Sequence, residues 1–297
     1  MFGIDRGDEL AATTEQGRIC GLAAGGQRDL QAAAAAHREL FPDNPFDPTV
    51  FSMVASATAF GAPWCTREQL RIANLTALWV FAVDWRIDYL ARTPGDVAAV
   101  VANCLATADG EEAGGADALY RFLADIRDEL AAAPAFAGHR LVWREELRRM
   151  LHAMQREWVW KSQQSVQPGP SFEEYLDNAD NFGSSFVNVS HWLFLGDPTA
   201  VGHLAELTAV GRTVQRVLRL VNDLATYGRD VGWGDLNALM FGVDRAEVTR
   251  HIGKLVSACQ EALRPLEHTS PQEAAYLIRQ IGFSSGFYHV TDFWGEL

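Results

Sequence analysis

The stretch RLVNDLATYGRD, residues 219 to 230, places Asn222, Thr226 and Asp230 at intervals of four. On a helix, side chains four apart lie nearly above one another, so these oxygens would form a ladder along one face. Such a ladder suits a hard cation. Mg²⁺ prefers octahedral oxygen coordination, keeps several waters and is usually held by one or two carboxylates together with phosphate oxygens. A second oxygen-bearing stretch lies far upstream in ALWVFAVDWRIDYLA, residues 77 to 91, where an apolar run from Leu78 to Val83 leads into Asp84, with Asp88 one turn later. Carboxylates one turn apart repel by a few tenths of a kcal/mol. Exposure with pairing to Arg86 or Arg92 would relieve this, and so would a bridging cation. Set face to face across a helical bundle, the two stretches would form an open, two-sided clamp.

The elements that must position them read as helices. Apolar residues recur with helical spacing almost throughout, and no convincing two-residue alternation appears, so the fold class is all-α. Breaks fall at FPDNPFDP (41 to 48), RTPGD (92 to 96), ADGEEAGGAD (108 to 117), VQPGPS (166 to 171), LGDPT (195 to 199) and HTSP (268 to 271), each carrying the Pro, Gly, Asp or Asn that stops or starts helices. About ten helices lie between them. None of the breaks has the length of an interdomain linker, so residues 1–297 are expected to form one domain, with roughly the first 20 residues frayed. The run Ala32 to Ala36 is helix-favouring composition, and no fixed-period repeat suggests a solenoid.

Composition narrows the partners. Hydrophobic residues make up 48% of the chain and charged residues 21%, with 16 Phe and 9 Trp to fill a core or line a pocket. A net charge of -13 argues against nucleic acid, which is gripped through clustered Lys and Arg. A polyanionic small molecule would instead be held through metal ions and a few placed cations. No segment approaches the ~18 apolar residues of a membrane span, and the amino terminus MFGIDRGDEL lacks the form of a secretory signal. Cys20, Cys65, Cys104 and Cys259 are scattered, without zinc-binding or disulfide spacing, and read as reduced thiols. The expected location is the cytoplasm.

The two oxygen-bearing stretches resemble the metal motifs of class I terpene synthases. VDWRID resembles the aspartate-rich D-D-x-x-D motif, with Asp84 and Asp88 at its outer positions and Trp85 in place of the middle aspartate. NDLATYGRD matches the second motif, (N/D)-D-x-x-(S/T)-x-x-x-(E/D), at every defined position. The resemblance implies a helical bundle around a central apolar cavity. It departs from many bacterial members where a diphosphate-sensing arginine, an aspartate and a glycine sit on a broken helix: EEYLDNADNFGSSF supplies Ala179, Phe182 and Gly183 there. A carboxyl-terminal Arg-Tyr pair is replaced by Phe287-Tyr288. These departures, with YLDNADNFGSSFVNVSHW, resemble bacterial diterpene synthases acting on labdane-type diphosphates such as copalyl diphosphate. Arg219, Arg229 and Tyr288 are then the candidates for diphosphate contact.

What the resemblance implies about chemistry can be weighed by charge. Three Mg²⁺ would roughly balance Asp84, Asp88, Asp230 and a diphosphate ester, letting pyrophosphate leave without a proton donor. Asn222, Thr226 and Asp230 would hold one ion, and Asp84 and Asp88 would bridge the others. The carbocation left behind needs a dry cavity with aromatic walls, each face contributing ~0.5 to 2 kcal/mol. Candidates are Trp79, Phe81, Trp85, Phe182, Phe186, Trp192, Tyr288 and Trp294, any of which can equally fill core. Phe182 and Phe186 lead, because Gly183-Ser184-Ser185 between them can break a helix beside the pocket. His191 with Asn188 one turn before it reads as a base and its partner or as an interior hydrogen bond, and Arg212 and Arg216 share a face with Arg219.

The expected activity is therefore a Mg²⁺-dependent carbon-oxygen lyase giving a diterpene olefin from copalyl-type diphosphate, either a labdatriene of the biformene type or a further cyclised skeleton. A class II diterpene cyclase would supply the substrate, and a homodimer accords with the resemblance. Two alternatives stand beside it: cyclisation of linear farnesyl or geranylgeranyl diphosphate, and an inactive helical isoprenoid-binding protein. Chain elongation is disfavoured because that chemistry uses two D-D-x-x-D motifs.

Overall fold

The computed structural model describes residues 6–111, 115–163 and 169–294. Among them are thirteen α-helices and no strand: α1 (Arg6–Ala36), α2 (Pro48–Gly61), α3 (Arg67–Trp85), α4 (Pro94–Asp109), α5 (Ala118–Ala131), α6 (Phe136–Gln163), α7 (Phe172–Asp177), α8 (Ser184–Leu195), α9 (Pro198–Gly202), α10 (Leu204–Trp233), α11 (Arg245–Leu263), α12 (Leu266–Thr269) and α13 (Pro271–Phe287). The expected breaks fall between helices for local reasons. Thr66 and Gln69 form a reciprocal capping box at the start of α3, Thr93 and Asp96 another at α4 behind Pro94, and Ser171 and Glu174 a third at α7. Helix α1 starts at Arg6 where fraying is expected. Arg18 donates to the Trp64 carbonyl at 3.2 Å and Ile19 is buried, which tie its early turns to the bundle. Residues 1–5, 112–114 and 164–168, parts of the expected frayed start and of two expected breaks, lie outside the described residues.

A continuous cluster of buried apolar side chains runs from Ile19 on α1 to Ile281 on α13. At its centre Phe186 of α8 sits between Trp79 of α3 and Trp143 of α6, with ring centroids 6.0 and 5.4 Å away. Both indole N–H groups are satisfied, Trp79 by the Leu119 carbonyl and Trp143 by the Ser190 hydroxyl, each at 2.9 Å. A second, smaller cluster joins α7, α10 and α11 through Tyr175, Leu220 and Val248. Helices α3, α8, α10 and α13 thereby stand around a central hollow.

Two irregularities shape that hollow. The last turn of α3 widens into a π-turn over Arg86–Leu90, which carries Asp88; such bulges re-aim side chains near functional sites. Between α7 and α8 the chain passes through a 3₁₀ turn, Ala179–Phe182, and breaks at Gly183, whose φ is +78°. A Cβ there would lie 2.7 Å from Val80 and 3.0 Å from Met150, so both the backbone angle and the space call for glycine.

Candidate active site

Asp84, Asp88, Asn222 and Asp230 all line one cavity of about 260 Å³, with Asp84 and Asp88 on one side of its mouth and Asn222 and Asp230 on the other. The two motif stretches therefore share a hollow. Along α3 and the π-turn that follows it the lining residues are Ala77, Val80, Phe81, Asp84 and Asp88, a single face that turns from apolar to acidic as it approaches the mouth. Phe182, Gly183, Tyr288 and Trp294 also line the cavity. Trp79, Trp85, Phe186 and Trp192, expected in the lining, do not belong to it. Trp79 and Phe186 are core residues off the lining faces of α3 and α8, and Trp192 is core against Tyr276, centroids 6.1 Å apart. Trp85, one position past Asp84, is rotated out of the cavity and stacks behind Tyr89 at 4.4 Å.

The two sides of the mouth differ in their bonding. Asp84 has its carboxyl held well above the usual range by burial and by the like charges of Asp88, Asp235 and Glu157. Burial also raises Asp88, to about 7, against the opposing pull of Lys161. On α10, by contrast, Asp230 accepts hydrogen bonds from Thr226 at 2.7 Å and Asn237 at 2.8 Å. Burial raises its carboxyl, and those bonds counter the rise. Thr226 is buried behind Asp230 and contacts the Asn222 carbonyl at 3.0 Å, so it holds the ladder in register from behind. Asn222 and Tyr288 both line the cavity on this side.

The candidate cations are not free. Arg219 directs Nε to the Tyr175 hydroxyl at 2.7 Å and its terminal nitrogens to Glu157 at 2.8 and 3.2 Å and to the Leu236 carbonyl at 3.3 Å. Arg229 pairs with Asp292 at 2.5 Å and lies over the Trp233 ring. Arg212 and Arg216 turn to Glu146 and Asp177, away from the mouth. Glu157, Asp235 and Tyr89 also line the cavity, and Lys161 stands behind this lining against Asp88 and Asp235; none is evident from the motifs, because α6 and the residues after α10 reach this place only through tertiary packing. One sequence signal existed: Glu157 and Lys161 stand four apart in the aromatic run EWVWK.

Away from the mouth the cavity changes character. Tyr288 and Tyr276 are separated by about 18 Å of helix rise along α13, and both line it. Polar groups on this deep wall close on each other: Thr58 with Asn74 at 2.5 Å, Ser184 with Gln215 at 3.1 Å, and Gln280 with Asn188 through two reciprocal amide bonds of 2.8 and 3.2 Å. His191 is buried behind the wall, stacked on Tyr276, and burial pushes its imidazole down to about 4, so it stands neutral. It does not line the cavity, and Asn188 is occupied by Gln280 instead.

The donor set fits divalent cations. Carboxylate and amide oxygens converge from two helices, and the like-charged carboxyls of Asp84 and Asp88 are relieved by positive charge. Among the described residues no three His, Cys, Asp or Glu side chains cluster tightly enough to hold a metal by themselves.

An acidic, two-walled mouth over an apolar chamber in an all-α bundle defines the class I terpenoid synthase architecture. Residues 76–262 match the family described as terpene synthase family 2, C-terminal metal binding, and the chain belongs to that family. It is a class I terpene synthase, a metal-binding lyase acting on a prenyl diphosphate. It is 24% identical over 273 residues to ent-pimara-9(11),15-diene synthase of Streptomyces sp. (strain KO-3988), covering 90% of this chain and 91% of that one. In fold it is similar to linalool/nerolidol synthase from Streptomyces clavuligerus in complex with 2-fluorogeranyl diphosphate, with a TM-score of 0.68 at 17% identity over 91% of this chain and 97% of that one. 2-Methylisoborneol synthase from Streptomyces coelicolor A3(2) is alike to a similar degree, with a TM-score of 0.67 at 17% identity over 92% of each chain. No helix among the described residues is long and apolar enough to cross a membrane.

Proposed function

We propose that the protein is a Mg²⁺-dependent diterpene synthase that ionises a copalyl-type diphosphate, releases pyrophosphate and ends in a diterpene olefin. The observation that carries this reading is the single cavity whose acidic mouth opens on a wall of paired polar groups and aromatic rings. Asp84 and Asp88 from one side, with Asn222 and Asp230 from the other, would hold the ions, and Thr226 positions Asp230. Mg²⁺, in a count of three, would supply positive charge to the diphosphate as its bond to carbon breaks. Arg229, Arg219 and Tyr288 stand at that mouth to orient the diphosphate.

Below it, Phe81, Phe182, Phe283, Phe293 and Trp294 present ring surfaces to the hydrocarbon and keep water out. Thr58, Ser184 and Gln280 in the lining are already paired with neighbours, which leaves them less able to hold a water and supports deprotonation to an olefin over capture as an alcohol. Similarity to a diterpene synthase over 90% of the chain supports the C20 substrate class. A class II cyclase is the kind of enzyme that makes such a bicyclic diphosphate, and we place it upstream. We further propose that the chain acts as one catalytic domain in the cytoplasm.

The test is incubation of purified protein with Mg²⁺ and, separately, copalyl, geranylgeranyl, farnesyl and geranyl diphosphates, followed by gas chromatography and assay of released pyrophosphate. A diterpene hydrocarbon from copalyl diphosphate alone is the expected result. Hydrocarbon only from a linear diphosphate would overturn the substrate assignment, and no pyrophosphate from any would overturn the lyase reading for this chain.

A further inference from the structure

Lys161, in the last turn of α6, does not itself line the cavity but is paired with two carboxylates that do, and the foregoing reading does not use it. Its side chain is 14% exposed, and its ammonium lies 2.5 Å from Asp235 and 3.4 Å from Asp88. The ring of Tyr89 lies 5.5 Å away, and its hydroxyl donates at 2.7 Å to the other oxygen of Asp235. Asp88 belongs to the first wall. Asp235 follows α10, and its N–H closes on the Asp230 carbonyl at 2.8 Å. One ammonium therefore ties the two walls together.

The neighbouring cations are built differently. Arg219 is fixed by bonds to Glu157, Tyr175 and a backbone carbonyl, and it is buried enough that losing them would strand Glu157. Lys161 is a compact charge on a flexible stem with three rotatable donors, able to change partners without breaking a planar fork.

We propose that Lys161 is the exchangeable cation of this mouth. In the metal-free protein it neutralises Asp88 and Asp235 and holds the walls together. When divalent ions and the diphosphate arrive, it releases Asp88 and turns to the diphosphate oxygens. This rests on the reading of Asp84 and Asp88 as metal-binding groups. A cation on Asp88 and Lys161 on the same carboxylate oppose each other, and such coupling is reciprocal.

Two binding measurements on the full chain test it without turnover: Mn²⁺ binding to the free protein by electron paramagnetic resonance, and binding of inorganic pyrophosphate with Mg²⁺ by calorimetry. Lys161→Gln is expected to bind Mn²⁺ about tenfold more tightly and pyrophosphate about tenfold more weakly, while Lys161→Arg recovers the pyrophosphate affinity. Unchanged or weaker Mn²⁺ binding, or unchanged pyrophosphate binding, in Lys161→Gln overturns the proposal. A merely structural lysine would weaken both. If circular dichroism shows Lys161→Gln unfolded, Asp235→Asn decides instead: freeing the ammonium should tighten pyrophosphate binding, and unchanged or weaker binding refutes the role. Asp88→Asn separates the two levels of the argument. If it too leaves Mn²⁺ binding unmoved, the metal wall itself is misassigned; if only the lysine variant does, the lysine's role alone falls.

Discussion

The mouth and the deep wall of the cavity solve opposite electrostatic problems within one bundle. At the mouth, Asp84 and Asp88 are buried close to Asp235 and Glu157, so the carboxyls of Asp84 and Asp88 are held up and positive charge is welcome. Along the deep wall Thr58, Ser184 and Gln280 are each matched to a neighbour, and the imidazole of His191 behind it is kept neutral. The first arrangement stores unfavourable charge that binding relieves; the second carries no charge and keeps its amides paired. Ionisation and protection of its product are thus assigned to different ends of one space, and mutations at the two ends should fail in different ways.

Asp84→Ala puts the comparison at greatest risk. Removing a carboxylate surrounded by like charges should lower pyrophosphate release by about 10³-fold, while the melting temperature holds or rises; a drop in melting temperature would mean that Asp84 is satisfied in some other way. Within the mouth itself, Asp230→Ala should behave unlike Asp84→Ala. Turnover should fall about 10²-fold, and stability should fall by about 1–3 kcal/mol in urea denaturation, because Asn237 and Thr226 lose their acceptor.

At the deep wall, Gln280→Leu leaves the Asn188 amide buried without its partner and should cost about 1–3 kcal/mol. Pyrophosphate release should persist within a few-fold, with a changed hydrocarbon profile by gas chromatography; loss of release would erase the division between the two ends. For His191 the expected effect is on the pH dependence of stability alone. Its folded pKa, about 4, lies below the ordinary 6.5, so its contribution is complete above pH 6.5 and is lost as pH falls toward 4. That loss reaches on the order of 3 kcal/mol. Denaturation curves at pH 7 and 4.5 should diverge less in His191→Leu than in the parent, and equal divergence would show that the imidazole is not held neutral.

The fold was legible because its signals are local. Capping residues Thr66, Thr93 and Ser171, with Pro and Gly at the breaks, mark helix ends in the chain itself, and oxygens at intervals of four mark a face. The Gly183 break could be read for the same reason, since Gly-Ser-Ser interrupts an aromatic helix. Membership of the lining was harder. Counting back from Asp84 by three, four and seven yields Phe81, Val80 and Ala77 and excludes Trp79 and Trp85, but proximity to the motif in sequence suggested those tryptophans instead. Phe186 and Trp192 failed likewise: their ring size suits a pocket as well as a core, and only packing against Trp143 and Tyr276 decides between them. Lys161, Glu157 and Asp235 could not be assigned to the mouth locally, since what brings them there is the docking of α6 and of the residues after α10.

The Asn188–Gln280 amide pair constrains how this chamber can diversify. Its partners sit on α8 and α13, far apart in the gene, and each amide answers both the donor and the acceptor of the other. A lone replacement of either strands its mate in a nonpolar setting, so the single-step intermediate is handicapped even when the double replacement would be sound. New skeletons drawn from this scaffold should accordingly arise through coordinated changes on the two helices, and libraries that vary one position at a time would discard the useful combinations before meeting them.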